Sequence, residues 1–325
     1  MWHPEKDGIM VYSNSYGNMG LYDVYNSKAI PFKGYHKQGN KQGGAPLLAW
    51  ASSIPSVAET MASPWMMISY GVDDKMFVHD AENPSRRPVE LIPYLQEKNP
   101  VWYESLLLNP ERKRRRLATD DKSQYLAVGY TDGLVEIYRL DTLKIIFVSN
   151  ALQGQISAMH WRYIRSTLYL AVGDTAGAVV VHSMATVDVN TDADIPVPTT
   201  TVHSTLSGHK GTITVLQWSA HQDTSYLASA SADNLVYVWD IDKACRIAAF
   251  RNHRGNVQSL CWQLLDKDKL FSGANDRFIY SWKYTDYPYR EEDGKRWKKK
   301  IRIYLQYSYA KQMDSHYCTC RKGAF

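Results

Sequence analysis

The sequence holds only four cysteines in 325 residues (Cys245, Cys261, Cys318, Cys320), too few for a disulfide framework in a chain this long. A reducing compartment fits that count. It has no apolar run long enough to cross a bilayer, and its opening, MWHPEKDGIM, has neither the basic nor the apolar region of a secretory leader. These absences predict a soluble intracellular protein. No long stretch places apolar residues at helical spacing, which argues against a helical bundle. A one-signed charge is also missing from most of the chain. Residues 284–325 carry ten Lys or Arg against five Asp or Glu, so the formal +5 sits in the tail and residues 1–283 sum to zero. Net charge therefore gives the main body no reason to bind polyanions.

What remains suits short strands and turns: 23 Tyr, 10 Trp and many Val, Ile, Ser, Thr and Gly. The fold class is all-β. The clearest unit runs LSGHKGTITVLQWSAHQDTSYLASASADNLVYVWD, from Leu206 to Asp240. Gly208-His209 forms a turn, Ile213–Trp218 alternates as a strand, Leu227–Ser231 is a small-residue strand, and Leu235–Asp240 closes on Trp-Asp. This is the pattern of one WD-repeat β-propeller blade. In such a blade His209, Ser229, Asp233 and Trp239 form a buried chain of hydrogen bonds, and His253, Ser272, Asp276 and Trp282 repeat it. A Ser-His-Asp hydrolase is the competing reading. It fails on the absence of a Gly-x-Ser-x-Gly elbow, because Ser229 lies inside a strand. No catalytic residue, cofactor or metal is expected.

Aligned on the strand-end pair, the repeats end at Tyr22-Asp23, His79-Asp80, Tyr138-Arg139, His182-Ser183, Trp239-Asp240 and Trp282-Lys283, at intervals of 57, 59, 44, 57 and 43 residues. Six before each pair stand Tyr16, Asp73, Asp132, Ala176, Asp233 and Asp276. A Trp closes the preceding strand at Trp2, Trp50, Trp161, Trp218 and Trp262, with Leu117 or Thr119 in its place in the third repeat. The count predicts about five full blades and a partial N-terminal one over residues 1–283, part of a seven-bladed ring within a longer protein. Residues 284–325 read as a basic, aromatic tail or linker.

Insertions separate the repeats. Between His79 and Tyr138, Pro88–Gln96 predicts a short helix, and the run Arg112 to Arg116 (Arg112, Arg114, Arg115, Arg116) is compatible with a solvated loop, a nuclear-import signal or a phosphate-binding patch. Thr186–Val202 reads as an exposed loop, and Gln38–Ala45 lacks the ending of a phosphate loop. In the tail, Lys295, Arg296, Trp297 and Lys298 suit nonspecific single-stranded RNA by charge and stacking, or a flexible linker. Ile301–Tyr309 alternates like an edge strand. His316, Cys318 and Cys320 have a spacing that no common zinc module uses.

GLYDVYNSKA, GYHK and LLAW between Gly20 and Trp50, YLAVGYTDGLVEIY at Tyr125–Tyr138, TLSGHKGTIT at Thr205–Thr214, and FRNHRGNVQSLCW with FSGANDRFIYSW carry a family resemblance. From Trp2 to Lys283 the chain resembles the second propeller of the fifth-Gemin family, RNA-recognising WD-repeat subunits of the survival-of-motor-neuron (SMN) complex. The resemblance implies a non-enzymatic scaffold with SMN-complex proteins and small nuclear RNA as partners, no membrane, and a cytoplasmic location with a pool in nuclear bodies. It also implies a binding face six and four residues before each closing Trp and one before each turn Asp. Here that face reads Gly44, Pro46 and Val72; Gln155, Ser157 and Thr175; Thr212, Thr214 and Ala232; Asn256, Gln258 and Asn275. The family's RNA-contacting Tyr, Lys and second Tyr fall at Pro46, Thr212 and Ala232. No cation or aromatic stands on that set, which predicts weak RNA affinity or a polar face for a protein partner. Lys210 and Arg254, just after each turn His, are the nearest cations.

Overall fold

The computed structural model describes residues 1–14, 16–32, 36, 45–52, 54–58, 64–71, 73–102, 112–185, 199–221 and 223–288. Every sheet is an antiparallel meander of consecutive strands, and six of them follow one another along the chain. The first is β1 (Ile9–Ser13), β2 (Met19–Asp23) and β3 (Lys28–Pro31); the second is β4 (Leu47–Ser52), β5 (Trp65–Tyr70), β6 (Met76–Asp80) and β7 (Val89–Glu90). The third is β8 (Arg114–Thr119), β9 (Tyr125–Tyr130), β10 (Val135–Arg139) and β11 (Ile145–Ser149). The fourth is β12 (Ile156–Ile164), β13 (Thr167–Asp174), β14 (Val179–Ala185) and β15 (Thr199–Leu206). The fifth is β16 (Ile213–Trp218), β17 (Tyr226–Ser231), β18 (Val236–Asp240) and β19 (Cys245–Phe250), and the sixth is β20 (Val257–Trp262), β21 (Lys269–Ala274) and β22 (Ile279–Lys283). These are the blades of a WD-repeat β-propeller. They divide between two compact units, Met1–Thr131 with Val135–Ser149, and Asp132–Leu134 with Asn150–Phe325.

Middle strands such as β9, β17 and β18 are buried along nearly their whole length, whereas β3 is largely exposed. A sheet covered on both faces buries both sets of alternating side chains, which is why Ser229 and Ser231 are as buried as Ala228 and Ala230, and Tyr237 as Val236 and Val238. Between the fourth and fifth sheets Leu206, Ile213, Trp218 and Tyr237 share one cluster; between the fifth and sixth, Phe250, Leu260, Trp262 and Trp282 share another.

Three local outcomes differ from the sequence reading. The partial first blade keeps a stub of inner strand: His3 N–H bonds to the Ile9 carbonyl and Val11 N–H to the Met1 carbonyl. The helix near Pro88 forms later, as α2 (Ile92–Lys98), following α1 (Pro55–Ala58) and preceded by the short β7. Its end is clamped by Asn99, which donates to the Leu95 and Leu143 carbonyls and accepts from Ile145 N–H. After Lys283 a 3-10 turn (Tyr284–Asp286) leads back to the fifth sheet, where Ala249 N–H bonds to the Tyr287 carbonyl and Ala248 pairs with Pro288. Those residues pack against the core because Tyr284 and Tyr287 lie on aromatic neighbours of Phe250, Trp262 and Trp282.

One constraint recurs in all six turns between second and third strands. The residue after the turn position is left-handed in each: Gly17 (φ 81), Asp74 (φ 58), Gly133 (φ 86), Gly177 (φ 92), Asn234 (φ 69) and Arg277 (φ 67). Glycine adopts that region freely and Asn and Asp at little cost, whereas Arg277 occupies it under strain. At Gly177 a Cβ would also sit 2.6 Å from the His209 carbonyl oxygen. In urea denaturation Arg277→Gly is expected to stabilise by roughly 0.5–1 kcal/mol. Gly177→Ala should destabilise by more than that, through strain and collision together.

Candidate functional site

The fifth sheet brings His209, Ser229, Asp233 and Trp239 into one chain. His209 Nδ1 lies 3.0 Å from Asp233 Oδ2, His209 Nε2 lies 2.8 Å from Ser229 Oγ, and Trp239 Nε1 donates to the same oxygen at 2.8 Å. Only one proton order satisfies every atom. His209 Nδ1–H donates to the carboxylate, its bare Nε2 accepts the Ser229 hydroxyl, and Ser229 accepts the indole N–H. The hydroxyl is fully buried and fully engaged, so it offers no nucleophile to a substrate.

The sixth sheet repeats part of this. His253 bonds to Asp276 at 2.9 Å and to Ser272 at 2.8 Å. Trp282, expected as the fourth member, does not join. Its ring stacks flat on Phe250 (4.7 Å between centroids, 10° between planes), and among the described residues its buried Nε1 has no hydrogen-bond partner.

A further chain, unassigned from the sequence, occupies the second sheet. His36 Nδ1 meets Asp73 Oδ1, His36 Nε2 meets Ser69 Oγ, and Ser69 Oγ meets His79 Nε2, each at 2.8 Å. His79 replaces the usual Trp as donor. Its signal was GYHK, a turn His without a Gly directly before it. The third sheet abandons the pattern for Glu136, fully buried, which accepts from Tyr130 (2.6 Å), Tyr138 (2.5 Å) and Trp102 (2.7 Å). In the fourth sheet, where Ala176 stands at the turn, Asp174 accepts the Gly154, Ala176 and Ala178 amides.

Protonation follows these contacts. Burial raises the Asp233 carboxyl, but hydrogen bonds from His209 and the Lys210 amide, then the pull of the His209 ring and the Leu235 amide, outweigh it and leave it at about 2. Asp276 is lowered in the same way: burial opposes the shift, and the Arg254 and Phe278 amides and His253 outweigh it. Burial, with repulsion from His36, pushes His79 down to about 3, and burial alone pushes His182 to about 4.

The face positions are held by one recurring bond. The residue before the turn donates its N–H to the carbonyl near the inner strand's start, at 2.9 Å each time: Thr175 to Gln155, Ala232 to Thr212, Asn275 to Asn256, and also Thr131 to Lys113. Inner strands carry a β-bulge just beyond, at Arg115, Ser157, Thr214 and Gln258. Two of these bulge side chains are already spent. Ser157 donates to the Ile213 carbonyl at 2.6 Å and Thr214 to the Val257 carbonyl at 2.5 Å, each reaching the next sheet. Thr212 reaches back to the Thr175 carbonyl at 3.3 Å. Pro46 is buried, and Gly44 and Val72 lie outside the described residues. Gln155, Thr175, Asn256 and Asn275 are exposed; Gln258 and Ala232 are half-buried. Lys210 and Arg254 use their amides on Asp233 and Asp276 while their side chains stay exposed.

The run at Arg112–Arg116 is not a loop. Arg114, Arg115 and Arg116 begin β8, the inner strand of the third sheet, because every sheet needs such a strand and the third repeat provides no other. Its bulge at Arg115 aligns Thr119 with Trp218 and so places Lys113, Arg115 and Thr131 on the face. The third sheet's face positions therefore carry two cations; the sequence reading, with the closing position open between Leu117 and Thr119, named no face residues for that repeat. The Thr186–Val202 insertion likewise ends in strand from Thr199. Residues 186–198, Lys295, Arg296, Trp297, Lys298, Ile301–Tyr309 and the His316, Cys318, Cys320 set lie outside the described residues.

Residues 200–240 match the family model for the WD domain, G-beta repeat. The chain is 28% identical to human Gem-associated protein 5 over 290 residues and 27% identical to the mouse protein over the same length, 86% of this chain in both cases. It spans 18% of the length of those relatives. Among solved structures, a chain of the mitotic checkpoint complex crystal structure aligns with a TM-score of 0.51 at 20% identity, covering 74% of this chain and 60% of that one. That likeness concerns the fold.

Two measurements test the hydrogen-bond chains. Trp239→Phe and Trp282→Phe remove similar apolar area, but only Trp239 loses a hydrogen bond. Trp239→Phe is expected to cost about 1 kcal/mol more in chemical denaturation. His79, held at about 3 against an ordinary 6.5, is neutral when folded, so the stability it contributes is complete above pH 6.5 and is lost as pH falls towards 3. By pH 5 the loss is about 2 kcal/mol. His79→Gln, which keeps an N–H for Ser69 but does not titrate, should remove that share of the loss and leave the share that His182 and His253 contribute.

Proposed function

We propose that this chain is a non-enzymatic WD-repeat scaffold that takes part in small nuclear RNA recognition and in assembly of spliceosomal small nuclear ribonucleoproteins, alongside the proteins of the SMN complex. The observation that carries this reading is the continuous similarity to Gem-associated protein 5 across 86% of the chain, far beyond the 41 residues that match the generic repeat. On this reading it works in the cytoplasm with a nuclear pool. The buried, engaged hydroxyls of Ser69, Ser229 and Ser272 support a scaffold rather than an enzyme.

A second reading draws on the fourth to sixth sheets. There Gln155, Thr175, Asn256 and Asn275 expose uncharged amides and hydroxyls, which suit the backbone of a docked peptide and offer phosphate little. A protein adaptor without direct RNA contact would use that face.

Binding of the full chain to a capped RNA containing an Sm site, against a scrambled RNA of equal length, decides between them. Preference for the Sm-site RNA at physiological salt is the expected result. No affinity for either would leave the adaptor reading in its place, and equal affinity for both would overturn selective recognition and the adaptor without RNA contact alike.

A further inference from the structure

We propose that Lys113 and Arg115, on the inner strand of the third sheet, form a contact site for the sugar-phosphate backbone of single-stranded RNA, a proposal that rests on the RNA-recognition reading above. The two residues hold the face positions that Thr212 and Thr214 hold in the fifth sheet, fixed by the same 2.9 Å bond and the same bulge. In the fifth sheet the two hydroxyls turn to neighbouring carbonyls. In the third, both side chains are exposed cations.

Their backbone is held in place. Lys113 N–H donates to Thr131 Oγ1 at 3.1 Å, and the Lys113 carbonyl accepts Thr131 N–H. Between them Arg114 turns the other way, its guanidinium 5.9 Å from the Tyr70 ring centre and 5.7 Å from that of Tyr130. That stack anchors the strand on buried aromatics and leaves its neighbours pointing outward. Several cations elsewhere are paired: Lys6 with Glu82, Lys75 with Glu90, Arg139 with Asp141. Among the described residues no carboxylate pairs with Lys113 or Arg115.

The chemistry of the site selects its ligand. Two uncompensated cations attract a repeating anion, and the release of counterions from that anion drives binding. The nearby rings of Tyr70 and Tyr130 are buried, so neither of these two planes is free to stack a base. The site therefore reads phosphates and adds affinity without sequence choice. An acidic peptide is less well served, because the Thr131 amide that would receive its backbone is already bonded to Lys113.

Fluorescence anisotropy of the full chain with a uridine-rich single-stranded RNA across a salt series tests this. Replacing both cations (Lys113→Gln with Arg115→Gln) should make the slope of log affinity against log salt shallower by about 1.4, two contacts at about 0.7 each. Arg87→Gln, an exposed cation outside the face, should leave the slope unchanged. Both variants should keep the wild-type thermal midpoint. RNA bound with an unaltered slope in the double variant overturns the site and leaves the RNA reading standing. RNA not bound by the wild-type chain at any salt overturns both. A polyglutamate peptide that binds where the RNA does not overturns the choice of ligand.

Discussion

Each repeat must bring four separate pieces of chain together without stranding their polar atoms: the approach to the inner strand, the second strand, the turn after it and the third strand. A single directional run of hydrogen bonds solves this in the fifth sheet, from indole N–H through hydroxyl and imidazole to carboxylate. The direction matters. The carboxylate fixes the tautomer of His209, the tautomer fixes which way Ser229 donates, and only then is the hydroxyl left to accept from Trp239. Asp233 also collects the Lys210 and Leu235 amides, so the same residue that ends the run shapes the turn. The left-handed residue that follows every turn is the geometric cost of that arrangement.

Where a sheet departs from this solution, the departure is repaired locally. The fourth sheet lacks a turn carboxylate at Ala176, and Asp174, two residues earlier, collects the amides instead. The third buries Glu136 and supplies three donors, one of them Trp102 from the insertion. The insertion is thus part of the blade. Repair is incomplete at Trp50. In the fifth and sixth sheets the closing Trp donates to the preceding inner strand, Trp218 to the His160 carbonyl and Trp262 to the Gln217 carbonyl. The equivalent acceptor for Trp50 would be the Met1 carbonyl, but among the described residues the buried Trp50 Nε1 has no hydrogen-bond partner.

Much of this was legible in the sequence because it is periodic. Ile213–Trp218 is β16 as read, and the marks at Asp233, Trp239 and His209 sit where the period put them. What escaped was whatever broke the marker while keeping the geometry. His36 lacks its Gly, His79 is not a Trp, and β8 ends in Thr119, so the third inner strand passed for a charged loop. An arginine run reads as solvated on composition alone, and only pairing shows that it is the edge of a sheet. Trp282 failed in the opposite sense: the marker is present, but stacking on Phe250 turns its N–H away from Ser272.

The same distinction between marker and geometry governs the candidate face. Ser157, Thr212 and Thr214 are polar residues at binding positions, yet their hydroxyls tie one sheet to the next and have little left to offer a ligand. Lysine and arginine can also donate to a carbonyl, as Arg162 does to Ala220 at 2.6 Å, but among the described residues the side chains of Lys113 and Arg115 form no such tie. At Lys113 and Arg115 the third sheet keeps its cations on the surface, and the ladder with β9 and the bonds to Thr131 hold the register. A repeat that substitutes cations for ties gives up a stabilising contact at that position. The exposed charge is what it retains in exchange, and charge at the start of an inner strand is useful only to something that meets the face.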